Sequence, residues 1–347
     1  MDSPLVVTRD EALLEVLARL AAAAGVTLHV TSQAGEALRA WSPAPLVLVG
    51  DDVARELALI APVRRSGVYL LAPRRISDDL YQIAVALGAE DVVEVPRSEE
   101  WLVEAMTDLG EGRGSPGRTL GVIGGSGGAG ATTFACALGQ VAAGSGPSVV
   151  IDTDPLGPGV DRVLGLESTP GVRWDALQQT TGRLGSQTFR TALPRRGGLG
   201  ALSWAPGPQA PVQPFALRAA LSAAQRGHAT VVLDLPRTGG LIVDELAARC
   251  DRLLMVVVPT VSGVTSAARL CARFAGSAGV RLVVRGAGAA PADVARVIGV
   301  PVAVTMADQR GLDEGVDLGL GPVRSPRQAL GRAAAAALSL DARRAPA

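Results

Sequence analysis

Lysine does not occur in this chain, and all 33 basic residues are arginine. Any site whose chemistry depends on a lysine amine must do without it, whether from this chain or from a second copy. Cysteine is scarce: Cys136, Cys250 and Cys271 lack metal-ligand spacing and read as reduced, mostly buried thiols. The two histidines, His29 and His228, stand alone and read as structural. No uninterrupted apolar run approaches the ~18 residues that suggest a membrane span. The start, Met1-Asp-Ser-Pro, lacks the basic and apolar segments of a secretory signal, so a cytoplasmic location is expected. The net charge of zero argues against bulk nucleic-acid binding. Trp41, Trp101, Trp174 and Trp204 are scattered, which favours packing over base stacking.

A chain of 347 residues has room for two domains. The run GEGRGSPGR at 110–118 has linker composition without periodicity. It separates an expected domain at 1–109 from a second at 119–347. In the first, strand-like runs at 5–8, 26–30, 46–49, 68–71 and 91–95 alternate with helix-like segments, the first at 11–24. That alternation predicts α/β architecture, a doubly wound parallel sheet covered on both faces. The second domain repeats it, with strand-like runs at 119–123, 148–154, 230–236, 253–259, 280–284 and 301–304. The alanine-rich tail, 327–340, has small residues on most faces and lacks the bulky apolar stripe of a membrane-docking helix, so it is expected to pack on its own domain.

The stretch ALGAEDVVEVP at 86–96 resembles the end of a response-regulator receiver domain. That resemblance implies a phosphorylated aspartate after the third strand, acidic metal ligands after the first, and a lysine before Pro96. Here those places hold Gly50, with Asp51 and Asp52 following it; Thr8, Arg9 and Asp10; and Val95. A site for Mg²⁺ needs clustered carboxylates, so this part reads as a pseudo-receiver that binds partners. Phosphorelay, with labelling at Asp51 or Asp52, is the competing reading.

The second domain opens with GVIGGSGGAGATTFACALG at 121–139: a strand, glycines, paired threonines and an apolar helix. This is a phosphate-loop layout, comprising Gly125, Ser126, Gly127, Gly128, Ala129, Gly130, Ala131, Thr132 and Thr133. The residue before the paired threonines, lysine in an ATP-binding loop, is Ala131. Backbone N–H groups at 127–132 suit an anion without any side chain. Asp152 and Asp154 end one buried strand and Asp234 another; such aspartates either serve a site at the carboxyl edge of the sheet or cap the following turn.

The order GGAGATT, then D-x-D, then D-x-P resembles the ParA/MinD superfamily of deviant Walker ATPases. The two-domain layout resembles its CpaE/TadZ-like and septum site-determining members. The resemblance implies ATP and Mg²⁺ as ligands, with Thr132, Asp152 and Asp234 around the metal and Asp154 orienting the attacking water. It also implies a homodimer, cell-division or pilus-secretion partners, and recruitment to the septum, pole or inner membrane face through them. The family's cross-dimer signature lysine is Ser126 here, and an adenine-reading asparagine after a later strand is Arg285. Loss of both cations implies weak binding and little hydrolysis, because phosphoryl transfer depends on neutralising charge. Arg162, Arg237 and Arg285 are candidates to restore a charge, although an arginine does not fit a lysine's pocket unchanged.

Overall fold

A computed structural model describes residues 3–73, 76–111, 117–178, 184–207, 212–238, 240–274 and 279–340. The chain divides into two compact units, Met1–Ser115 and Pro116–Ala347. Residues 112–116 of the glycine-rich stretch lie outside the described residues. Its described ends belong to regular elements, the helix Glu99–Glu111 and a strand beginning at Arg118.

The first unit is a five-stranded parallel sheet of β1 (Leu5–Val7), β2 (His29–Thr31), β3 (Val47–Gly50), β4 (Val68–Ala72) and β5 (Asp91–Glu94). The order β2-β1-β3-β4-β5 is the flavodoxin-like doubly wound arrangement. Strands β1, β3 and β4 are buried along their whole length, and separate apolar clusters lie on the two faces of the sheet. That burial is why they read as continuous apolar runs. The second strand lies further along the chain than the apolar run at 26–30 suggests, because its pairing with β1 selects His29–Thr31.

At the carboxyl edge of this sheet the receiver positions are occupied by other contacts. A Cβ at Gly50 would collide with the Asp52 carboxylate and lie 2.6 Å from Thr8 Oγ1. Asp52 accepts from the Thr8 hydroxyl and the Arg9 amide, both at 2.7 Å. Asp10 caps the helix Glu11–Ala23 by accepting from the Ala12 and Leu13 amides. Val95, at the lysine position, is buried. Among the described residues no group of three or more His, Cys, Asp or Glu is placed to hold a metal ion.

The second unit is an eight-stranded sheet of β6 (Arg118–Gly124), β7 (Ser148–Asp152), β8 (Arg195–Arg196), β9 (Leu199–Leu202), β10 (Thr230–Leu235), β11 (Arg252–Val257), β12 (Val280–Arg285) and β13 (Val302–Met306). Its order is β13-β12-β11-β6-β10-β7-β9-β8, parallel except for the short edge strand β8. One apolar cluster fills each face of the sheet. The helix Ala131–Ala142 is apolar on most sides because it lies between the sheet and the C-terminal helix Ala329–Ser339. The C-terminal helix buries Leu330, Ala333, Ala334 and Ala337 in that cluster, where small side chains allow close approach. No helix among the described residues is long and apolar enough to cross a membrane.

Candidate functional site

Strand β6 lies in the middle of the larger sheet, and residues 125–130 join its end to the helix Ala131–Ala142. Two turns in this loop need glycine: Gly128 (φ +70°) and Gly130 (φ +88°) are in the left-handed region, where a Cβ is disfavoured. The loop is fixed at its start by the Gly125 amide donating to the Val256 carbonyl at 2.8 Å. No side chain caps the helix at Gly130. The first-turn amides, including those of Ala131, Thr132 and Thr133, have no intrahelical acceptors, and the positive end of the helix dipole faces the same way. This cradle suits an anion.

The acids meet beside it through strand register. Asp234 on β10 pairs directly with Asp152 on β7, and register partners in a parallel sheet share a face. Thr132, in the first turn of the loop helix, stands close enough to Asp234 for its hydroxyl to lower that acid's proton affinity, which brings the loop helix next to the acids. Burial pushes Asp234 up to about 8, with Asp152 adding to the effect. Burial likewise pushes Asp152 up to about 6, although the Asp154 and Val160 amides and the Ser203 hydroxyl donate to it. No lysine lies near to offset these charges. A hydroxyl beside a buried carboxylate is an oxygen donor set that suits a hard cation such as Mg²⁺, which takes few protein ligands and retains water.

Asp152 and Asp154 also hold the local backbone. Asp152 Oδ1 accepts from the Asp154 amide at 3.0 Å, while Oδ2 accepts from the Val160 amide at 3.1 Å and Ser203 Oγ at 3.2 Å. Asp154 Oδ1 accepts from the Leu156 amide at 3.0 Å. Both oxygens of Asp152 are therefore engaged, by the turn that follows β7 and by Ser203 after β9, while Asp154 keeps one oxygen outside these bonds. Ser126, the cross-dimer lysine position, contributes its carbonyl to the Ala129 amide within the loop.

The three arginines separate by position. Arg237 Nη1 comes within 3.9 Å of where a Cβ on Gly127 would stand, and its Nη2 donates to Ser266 Oγ at 3.1 Å. Arg285 donates from Nη1 to the Ala129 carbonyl at 3.2 Å and from Nε to Asp308 at 2.9 Å. Arg162 is exposed on the short helix Val160–Leu164, next to Asp161, which pairs with Arg173. Two residues that motif reading leaves aside also shape the site. Trp174, fully buried, donates its indole N–H to the Asp152 carbonyl at 2.7 Å and packs against Trp204 at 6.0 Å between ring centroids. Their sequence signal is PGVRW and LSW, two tryptophans joined only by tertiary packing.

Known proteins match both units. Residues 7–117 match the family model described as Rv3660c-like, CheY-like N-terminal domain. A Mycobacterium tuberculosis protein described as uncharacterized protein Rv3660c is 35% identical over 326 residues, covering 89% of this chain and 90% of that protein. The chain belongs to the Rv3660c-like family. The second unit of this Rv3660c-like protein has the ParA/MinD fold. A Pyrococcus furiosus cell division ATPase MinD aligns with a TM-score of 0.55 at 17% identity, covering 66% of this chain and 100% of that one. A ParA family ATPase from Chlorobium tepidum gives 0.54 at 14% identity, covering 63% and 96%. The septum site-determining protein MinD of Pyrococcus horikoshii, solved with Mg-ADP, gives 0.52 at 17% identity, covering 63% and 93%.

Proposed function

We propose that this Rv3660c-like protein is a spatial regulator: a self-associating scaffold that keeps a phosphate-binding site and has lost the means of fast hydrolysis. One arrangement carries the reading. Thr132, Asp234 and Asp152 stay together beside a glycine cradle, while the loop's lysine position is alanine and no lysine exists to replace it. Amides and a metal-ready hydroxyl–carboxylate pair suffice to hold phosphate. Rapid transfer needs cations placed against developing charge, and one such cation is worth about 10³–10⁵ in rate.

Self-association is supported by the surface around the loop. Leu156, Leu241 and Val261 are 93%, 87% and 87% exposed and follow β7, β10 and β11; β10 and β11 flank the loop's own strand β6, and β7 lies next to β10. Bulky apolar side chains this exposed at one edge of a sheet suit an interface, and a second copy meeting the same edge would cover both sets. The first unit serves as a docking module, since its phosphoacceptor position is closed by Asp52. Within the cell the reading is placement of the division septum, with positioning of a Tad/Flp-type pilus secretion machine as the alternative task.

The nucleotide chemistry is assigned to residues of this chain alone. Thr132 and Asp234 hold Mg²⁺, the amides at 127–132 bind phosphate, and the free oxygen of Asp154 orients water. Mg²⁺, when bound, offsets phosphate charge. Arg237 favours one further reading, a slow ATPase raised by a partner, because its guanidinium stands beside Gly127. Purified protein assayed with Mg²⁺-ATP tests the proposal: turnover near background is expected. Turnover typical of the superfamily and lost in Asp154→Ala would overturn it.

A further inference from the structure

The phosphate loop has two flanks, and they differ. On the β12–β13 side, Arg285 reaches across from the end of β12. Its Nη1 donates to the Ala129 carbonyl at 3.2 Å and lies 2.6 Å from where a Cβ on Gly130 would stand. Asp308 holds the same guanidinium through Nε at 2.9 Å. Behind it, Gln309 donates to the Pro322 carbonyl and accepts from the Leu330 amide, both at 3.2 Å, which ties the floor to the C-terminal helix. The space left among Gly130, Thr133, Arg285, Met306, Gln309 and Leu312 is about 20 Å³. That volume holds about one water, whereas pockets that bury small organic ligands run to roughly 300 Å³ and above.

The other flank is open and cationic. Arg237 faces Gly127 and has no carboxylate within 4.0 Å among the described residues, so its charge is available to an anion. Its backbone carbonyl accepts from Arg273 at 3.4 Å, which limits how far it can withdraw. Beyond it lies an open groove of about 970 Å³ lined by Val261, Ser262, Ser266, Arg269, Leu270 and Arg273, the last paired with Asp244 at 2.7 Å. A ligand seated on the cradle therefore meets charge and hydroxyls on one side and a bolted arginine on the other.

We propose that this site recognises the polyphosphate part of its ligand and does not read a base: Arg237 supplies the cation, and the Arg285–Asp308 clamp leaves its flank of the loop too small to hold a base. The inference rests on the proposed phosphate-binding role and narrows its ligand class to base-indifferent polyphosphates. For a base to enter, Arg285 must give up a carbonyl bond and a half-exposed ion pair. Together these weigh against entry by about tenfold.

Calorimetry on the full chain with Mg²⁺ tests this, using ATP, GTP, inorganic tripolyphosphate and adenosine as titrants. ATP, GTP and tripolyphosphate are expected to bind within about threefold of one another, and adenosine not at all. Arg285→Ala opens the flank and is expected to raise ATP over tripolyphosphate by about tenfold, while Arg237→Gln weakens all three polyphosphates by at least about tenfold. Circular dichroism melts of both variants confirm that each is folded. ATP binding the unmodified chain tenfold or more tighter than tripolyphosphate would overturn the inference and leave the scaffold reading standing. An absence of polyphosphate binding overturns it as well, whereas fast Asp154-dependent hydrolysis contradicts the scaffold reading without deciding base selectivity.

Discussion

The Thr132 hydroxyl stands beside the Asp234 carboxylate, where the first turn of the loop helix meets the end of β10. That contact is oriented by two neighbouring strands, since β10 pairs with β6 on one side and β7 on the other. It places a hydroxyl, a buried carboxylate and the amide cradle in one corner of the sheet.

Asp234 carries a raised proton affinity because it is buried next to Asp152. Its folded-state value near 8 lies above the ordinary 3.8, so the folded state holds the extra proton between those limits. Stability from this group is complete below about pH 4 and is lost as pH rises through 8. Asp234→Asn in chelator is expected to stabilise the second unit by on the order of 2 kcal/mol at pH 8 and by little at pH 4.5. Thermal melts at the two pH values check this. An equal effect at both would show that the carboxylate is not charged at a cost.

His228 works in the opposite direction. It is buried at the end of the helix Pro214–Gly227, with Nδ1 3.1 Å from the Ala224 carbonyl, and burial lowers it from 6.5 to about 4. The unfolded chain therefore takes up a proton first, and stability falls as pH drops from about 6.5 through 4. The loss is about 3 kcal/mol at most. His228→Gln, which can keep a bond to Ala224, should flatten that part of the pH–stability curve; a curve of unchanged slope would count against the assignment.

Ala131 is the position at which the cradle lacks its cation. Ala131→Lys is expected to strengthen Mg²⁺-polyphosphate binding by about tenfold or more, since a charged hydrogen bond contributes about 1.5–3 kcal/mol. Calorimetry measures it directly. No gain would mean that the loop is a fold element and not an anion site.

Gly50 reports on the first unit. A side chain there collides with the Asp52 carboxylate, so Gly50→Ala should destabilise this unit by about 1–3 kcal/mol. Chemical denaturation of the variant supplies the test. Acetyl phosphate should leave Asp51 and Asp52 unlabelled in the parent chain, and labelling at either by mass spectrometry would restore phosphorelay.

Much of this was legible in the sequence because buried parallel strands appear as short apolar runs and left-handed turns require glycine. Both sheets, the loop at 125–130 and the acids at strand ends follow from those two facts. Register was not legible: nothing in SVVIDTD or TVVLDLP says that Asp152 and Asp234 stand opposite one another. The short edge pair β8–β9 carries too few residues for periodicity. The fate of Arg285 was hidden too, since its partners Ala129 and Asp308 lie 156 and 23 residues away. Asp152 shows the limit from the other side, because the same carboxylate that faces Asp234 also closes the turn to Val160.

The central claim is that the site binds phosphate without fast turnover, and one experiment addresses both halves. Full-length protein is mixed with Mg²⁺-ATP, and bound nucleotide, released phosphate and molecular mass are followed in the same sample. The account predicts saturable binding, a shift toward the dimer and phosphate release near background. Rapid Mg²⁺-dependent release that disappears in Asp154→Ala, or no binding at any ATP concentration, would contradict it.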